Sequence, residues 1–345
     1  MTTDRVNYLN TGLMILSCIV AFLLPFELFL FSYAILGPLH YLTEMSWLHK
    51  RQYFAPGKYD YMLLAALVLI ILFPTLFKLI YHLVAAKDAY GHTVLSGSIL
   101  AFARRSTTVG RVMIFVSFAT AAIIVLIRNT WKRAVAITLI IVFGLLTRSA
   151  QFGNIIFAIF LPTLIHVFVF TAGIIFAGAL KSKSLSGIIS FVVFLACAIS
   201  LFLLFPNPVN TSGVYVLSRY DTGLSQLNRQ IFATFLHQQA GHNDLYYSRT
   251  GILITRFIAY AYTYHYLNWF SKTSVIKWHL IPTRSLIIIL SVWLLSLVLY
   301  FTNYRTGLAV LYFLSLMHVI FEFQLNFQSF RDIGRSVKWK RKAVA

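Results

Sequence analysis

Long apolar runs separated by short polar breaks make up most of the chain. Leu63–Phe77, Val112–Ile127, Ile155–Leu180, Ile188–Phe205 and Leu286–Leu299 are almost free of charged residues. The hydrocarbon core of a bilayer is about 30 Å thick and takes about 20 helical residues to cross. Read against that length, the pattern predicts about ten transmembrane helices, over 8–24, 26–49, 60–81, 112–128, 133–148, 154–180, 185–205, 250–270, 285–302 and 306–328. Pro25 marks a tight turn between the first two. The fold class expected is all-α: a polytopic transmembrane bundle forming a single domain over 1–330, followed by a basic tail over 331–345.

Composition points the same way. Hydrophobic residues are 59% of the 345, charged residues 11%, and the mean hydropathy is +0.79. A soluble domain carries about a quarter charged residues, so lipid is the expected solvent. Arg5 before an apolar run is compatible with a signal peptide. However, no small-residue cleavage site leads into a polar mature domain, and the segment reads as the first span. Cys18 and Cys197 both lie inside apolar runs and form neither a disulfide framework nor a zinc pattern.

The formal net charge is +20, which raises the question of nucleic acid. The basic residues are instead dispersed in small clusters between apolar segments, as orientation signals are in membrane proteins. Placing both termini on the cytoplasmic side of an inner membrane puts Arg5, Lys50–Arg51 with Lys58, Arg128 with Lys132–Arg133, Lys181 with Lys183, Lys272 with Lys277 and Arg284, and the tail Arg331–Lys342 all inside. The tail reads as a stop signal touching anionic headgroups, with no nucleic-acid partner. The discordant stretch is His82–Arg111, an expected outside loop whose apolar middle, Val94–Phe102, is too short to cross. The longest polar segment, Pro206–Arg249, also falls outside, and Leu224–Leu236 within it reads as a short amphipathic helix.

Ionisable residues at membrane depth are costly and usually face an interior partner. His40-Tyr-Leu-Thr-Glu44 and His318-Val-Ile-Phe-Glu322 share one spacing. Residues four apart lie on one helix face, so each pair can present an imidazole and a carboxylate to the same point. His265, in Tyr264-His-Tyr-Leu-Asn-Trp269, and His166, near the middle of the sixth span, sit at comparable depth. With His49 and His279, most of these fall within roughly 15 Å of one interface at 1.5 Å per residue. Imidazole with carboxylate is a ligand set for iron, zinc or manganese, and facing helices of bundles build di-iron sites from such donors. Two readings stand: a metal site, with a haem held by two histidines as one variant, or metal-free His–Glu hydrogen bonds that pin helices together. Gln324, Asn326 and Gln328 either support ligands by hydrogen bonding or mark a helix emerging into water. Tyr260, Tyr262, Tyr264, Tyr266 and Trp269 either anchor the helix at the interface or line a pocket for a flat apolar substrate.

At Gly37-Pro-Leu-His40-Tyr-Leu-Thr-Glu44 the chain resembles the Brp/Blh family of bacterial and archaeal membrane β-carotene dioxygenases. The family pattern, an early G-x-P-H-x-x-x-D motif with later intramembrane iron-binding histidines, implies that His40 ligates iron, that Glu44 replaces the acidic residue and that His265 stands for the later cluster. The proline is displaced by one position here, and Trp269 occupies the place of a second later histidine. On the long outside loop, His237-Gln-Gln-Ala-Gly-His242-Asn-Asp-Leu-Tyr-Tyr is similar to the H-N-x-Y-L stretch of O-antigen ligases and polymerases. That likeness implies a polyprenyl-linked sugar substrate, with Arg219, Arg229 and Arg249 available for a diphosphate.

The leading expectation is a membrane-embedded non-haem iron oxygenase, of hydroxylase, desaturase or dioxygenase type, taking a carotenoid, another isoprenoid or an acyl chain from the bilayer. Its metal ligands are expected among His40, Glu44, His265, His318 and Glu322, with His166 as a further candidate. The alternatives are a sugar-polymer transferase working outside through His237, His242 and the arginines, and a proton-coupled transporter using the buried His–Glu pairs.

Overall fold

The computed structural model describes residues 2–55, 57–84, 97–147, 155–205, 208–272, 277 and 280–344. Among them all regular structure is helical. Helices form at every segment where the hydropathy pattern placed one, and five are long and apolar enough to cross a membrane: Thr3–Leu23, Ile159–Ser182, Leu185–Leu203, Thr283–Thr302 and Tyr304–Arg335. This is an all-helical membrane protein.

Local chemistry sets the helix boundaries. Helix α1 (Thr3–Leu23) starts at Thr2, whose hydroxyl accepts from the Arg5 amide, and ends where Leu24 leaves helical geometry, with Pro25 opening α2 (Pro25–Phe31). Proline suits that position because the first helical N–H has no partner to lose. After α2 the backbone widens into a π-helical segment, π1 (Ser32–Leu36), before α3 (Gly37–His49). The expected span over 26–49 is therefore one path in three pieces. Then come α4 (Asp60–Val84), α5 (Gly97–Leu126), α6 (Thr130–Leu146), a second π segment, π2 (Ile156–Phe170), α7 (Thr171–Ser182) and α8 (Leu185–Leu203). Three short helices follow, α9 (Val214–Asp221), α10 (Gln226–Phe235) and α11 (His242–Tyr246), then α12 (Arg249–Ser271), α13 (Thr283–Thr302) and α14 (Tyr304–Val344).

One expectation is corrected. His82–Arg111 is not a loop throughout: residues 82–84 end α4, and 97–111 are helical and continuous with 112–126 in α5. Arg104, Arg105 and Arg111 made that stretch look like a polar connection. Residues 97–111 contain no proline, and arginine has good helix propensity, so that part joins α5 without a break. Residues 85–96, Pro206, Asn207 and His279 lie outside the described residues. The amphipathic helix expected over Leu224–Leu236 is α10.

The chain divides into two compact units. The first comprises Met1–Glu44, Thr163–Val298 and Gln328–Ala345; the second comprises Met45–Pro162 and Leu299–Phe327. In the first unit α12 is the central helix and is buried nearly all round. A helix enclosed on every side can carry polar residues only where neighbours satisfy them. Here Tyr260 donates to the Phe194 carbonyl at 3.0 Å, and Thr263 shares a 2.6 Å hydrogen bond with Ser32 of π1. Helix α1 is tied to α8 by Thr11–Ser190 at 2.9 Å and Asn7–Ser186 at 2.9 Å. Ser248 caps α12 through the Gly251 amide, and a Cβ at Gly251 would meet the Asp244 carbonyl oxygen at 2.2 Å, so α11 closes on α12 only over a glycine. In the second unit α4, α5 and α6 pack in sequence, and Arg133 of α6 forms a 2.6 Å ion pair with Asp60 of α4.

Candidate metal centre

Three elements of the first unit bring histidines together. His40 comes from α3, His166 from π2 and His265 from α12. The His265 ring centroid is 4.8 Å from that of His40 and 4.8 Å from that of His166. Glu44, one turn beyond His40, places Oε2 at 3.3 Å from His40 Nε2. All four side chains are buried. The unit thus holds three imidazoles and a carboxylate in its interior, on three separately packed pieces of backbone.

Two of the three pieces involve π-helical backbone: π1 ends four residues before His40, and His166 lies within π2. Widened turns of this kind are uncommon and recur at functional sites because they re-aim side chains and release carbonyls. One such carbonyl, of Ile35, accepts the Trp293 indole N–H at 2.9 Å.

The donor set fits a metal ion. Donor atoms of His166 and His265 lie within 4.8 Å of each other, as do those of His40 and Glu44. Two ligands on one first-row ion, each about 2.0–2.2 Å from it, are roughly 3–3.5 Å apart, so each of these two pairs could contribute to a metal site. Thr171 supplies orientation: its hydroxyl is 2.8 Å from His265 Nδ1. An imidazole held through Nδ1 presents Nε2, the usual way a ligating histidine is fixed. A cation would also offset the cost of burying the Glu44 carboxylate.

The walls are aromatic. The His40 ring lies 5.1 Å from Tyr266, 5.7 Å from Tyr41 and 5.8 Å from Trp269, centroid to centroid. The Tyr41 and Tyr266 hydroxyls are 2.5 Å apart, packed where Gly37 has no side chain: a Cβ there would meet Tyr41 Oη at 2.9 Å. Trp269 donates its indole N–H to Thr43 Oγ1 at 3.0 Å. The tyrosines of α12 are therefore buried packing residues, not interfacial anchors.

The second His–Glu pair belongs to the second unit. On α14, His318 Nε2 is 3.5 Å from Glu322 Oε2 and both are buried. Asn326 follows at the same spacing, on the same helix face. Asn326 and Gln324 are fully buried, and their amide groups have no hydrogen-bond partner among the described residues. They do not mark a helix emerging into water.

The candidates on the polar segment 208–249 are arranged differently. Arg229 donates to the Asp221 carboxylate at 2.9 Å and to the Ala240 carbonyl at 2.9 Å, while Arg219 lies over the Tyr215 ring at 5.0 Å. His237 and His242 are exposed, His242 against Tyr246 with centroids 4.6 Å apart, and Arg249 opens α12 facing outward. Asp221 is the hub of this loop, accepting also from the Tyr246 hydroxyl at 2.8 Å. Burial opposes its ionisation, but hydrogen bonds from Tyr246 and Arg229, with the Arg229 charge, outweigh it and hold the carboxyl below its usual value. A depressed carboxyl stabilises the fold above its unfolded pKa of about 3.9, and that contribution is lost as pH falls through the folded value. Amide-exchange protection of 214–247 is accordingly expected to drop below about pH 4 in wild type. In Asp221→Asn it should be lower at neutral pH and nearly flat over the acid range. Equal profiles for the two proteins would remove Asp221 from this role.

No protein-family model matches the chain, and no curated protein or solved structure matches it.

Proposed function

We propose that the protein is a non-haem iron oxygenase of the inner membrane, acting on an apolar lipid or isoprenoid such as a carotenoid, with about ten crossings and both termini cytoplasmic. The observation that carries this reading is the meeting of His40, His166 and His265 with Glu44 in a buried, aromatic-walled interior. Three imidazoles and one carboxylate suit a divalent first-row metal, and mixed sets of this kind with open positions serve iron oxygenases. His318 and Glu322 are proposed as a further donor pair of their own unit.

Iron, when bound, would supply the redox chemistry that activates dioxygen. The rest falls to the chain's own side chains. Thr171 sets the face of His265, Glu44 balances charge and holds His40, and Tyr41, Tyr266 and Trp269 exclude water from the reacting carbons. Cleavage of a substrate C=C by one dioxygen places one oxygen atom on each carbon and needs no external reductant, which suits a site walled by hydrocarbon and aromatic rings.

The test is turnover by purified protein in detergent, loaded with ferrous iron and supplied with β-carotene, a polyprenol or an acyl lipid under labelled dioxygen. Labelled product from wild type and none from His265→Ala is the expected result. Iron-loaded wild type that oxidises none of the three sinks the oxygenase reading.

A further inference from the structure

Cys18 of α1 and Cys197 of α8 stand 179 positions apart and meet where these two helices pack. Both are free and buried. The Cys18 thiol donates to the Cys197 carbonyl at 3.6 Å and lies 3.5 Å from Ser200 Oγ, which itself donates to the same carbonyl at 2.7 Å. The two thiols are also in side-chain contact with each other. Tyr260 of α12 closes a third side by donating to the carbonyl of Phe194, one turn before Cys197.

A single buried cysteine behaves as a small apolar group. Two that meet across a helix seam are a pair of ligands. A third sulfur shares the face: Met14 is one turn before Cys18 on α1 and is fully buried. Thiolate and thioether donors select soft ions, Cu(I) above all, whereas imidazole and carboxylate suit harder metals. Met14 also lines a partly open cavity of about 210 Å³ between α1, α7, α8 and α12, which gives an ion a way in.

The charge nearby fits the same ligand set. Arg256 of α12 is 6% exposed. Its Nη1 donates to the Phe205 carbonyl at 3.2 Å, its Nε has no hydrogen-bond partner, and it forms no ion pair among the described residues. The guanidinium lies over the Phe22 ring at 5.0 Å, and Phe22 is one turn beyond Cys18 on α1. A buried cation at membrane depth calls for an anionic partner. Exchanging two thiol protons for one Cu(I), with both protons released to water, leaves one negative charge in excess at the pair. Arg256 is placed to offset it.

We propose that Cys18 and Cys197 bind one Cu(I), with Met14 as the third ligand. The site shares no residue with the histidine cluster, and its test needs neither iron nor turnover.

The full-length protein in detergent, reduced and kept anaerobic, is titrated with Cu(I) held by the chromophoric chelator bicinchoninate. Wild type is expected to withdraw about one Cu(I) per chain and to gain the ultraviolet absorption of a thiolate–copper bond. Cys18→Ser and Cys197→Ser should each weaken binding on the order of 100-fold or more, and Met14→Leu about tenfold. His265→Ala should keep the thiolate–copper absorption, which separates this site from the histidine cluster. Copper K-edge absorption of wild type loaded with one equivalent requires no variant to fold, and should show sulfur neighbours. Copper bound through nitrogen alone, or wild-type affinity kept in the Cys18→Ser/Cys197→Ser double variant, would overturn the proposal. So would reduced wild type that takes up no Cu(I), which would leave the pair as a packing contact.

Discussion

Purified without chelator, the wild-type protein is expected to carry about one iron per three-histidine site, and His40→Ala, His166→Ala and His265→Ala are each expected to lose it. The reason is the cost of the alternative. Glu44 is buried with His40 at 3.3 Å and two further imidazoles pack behind it. Without a cation, that carboxylate must share a proton with His40 or remain as a buried charge, and an unpaired ion in a low-dielectric interior is expensive. A divalent ion held beside Glu44 would remove the problem. Removing one imidazole takes away a directional bond, so a loss of affinity of roughly 100-fold or more is expected. Thr171 gives the graded control. Thr171→Val removes the partner of His265 Nδ1 and should weaken iron binding about 10–100-fold, while Thr171→Ser, which keeps the hydroxyl, should restore most of it. A purely structural role for Thr171 would change the thermal midpoint in both variants without this split in metal affinity. Because the metal binds only the folded chain, chelation should lower the wild-type midpoint to that of the histidine variants. Wild type that holds no iron, even after anaerobic reconstitution, would return the cluster to its other reading, hydrogen bonds that pin helices.

How much of this was legible beforehand follows from how far along the chain each signal extends. The helices were legible, because an apolar run of membrane-crossing length is a local property. The His40–Glu44 and His318–Glu322 pairs were legible for the same reason: four residues fix a shared face. His166 and His265 could be placed at matching depth, but their approach within 4.8 Å centroid to centroid depends on how π2 and α12 pack, which no local pattern contains. Thr171 was missed. A threonine in an apolar run normally satisfies itself on its own backbone, and nothing nearby marks it as the partner of a histidine 94 positions away. The π segments were missed too, since Ser32–Leu36 and Ile156–Phe170 have the composition of ordinary apolar helix. Trp269 occupies a position where the family likeness calls for histidine. The structure gives it an indole hydrogen bond to Thr43 and a place against the His40 ring, which makes it a wall residue.

In the second unit the largest expected effect on stability belongs to Arg133. Its Nε and Nη2 each donate to the Ile127 carbonyl at 3.1 Å, and its Nη1 meets Asp60 at 2.6 Å. Ile127 immediately follows α5, where carbonyls lack helical partners, and Asp60 opens α4, where a negative charge is favoured. Asn129 caps α6 in the same turn by accepting from Lys132 at 3.0 Å. One guanidinium therefore ties together three helix ends. Both side chains are mostly shielded, with exposures of 10% and 14%, so the pair is not a weak surface contact. Arg133→Ala leaves a shielded carboxylate without its cation and a helix-end carbonyl without its donors. It is expected to cost about 3–5 kcal/mol, read as a lowered midpoint and faster amide exchange across α4, α5 and α6. Asp60→Ala should cost less, because Arg133 keeps its two bonds to Ile127 and loses only the ion pair. The double variant should cost less than the sum of the two single variants by about 1–3 kcal/mol. Strict additivity would mean that the two side chains act independently, and that the junction of the three helices is held by apolar packing alone.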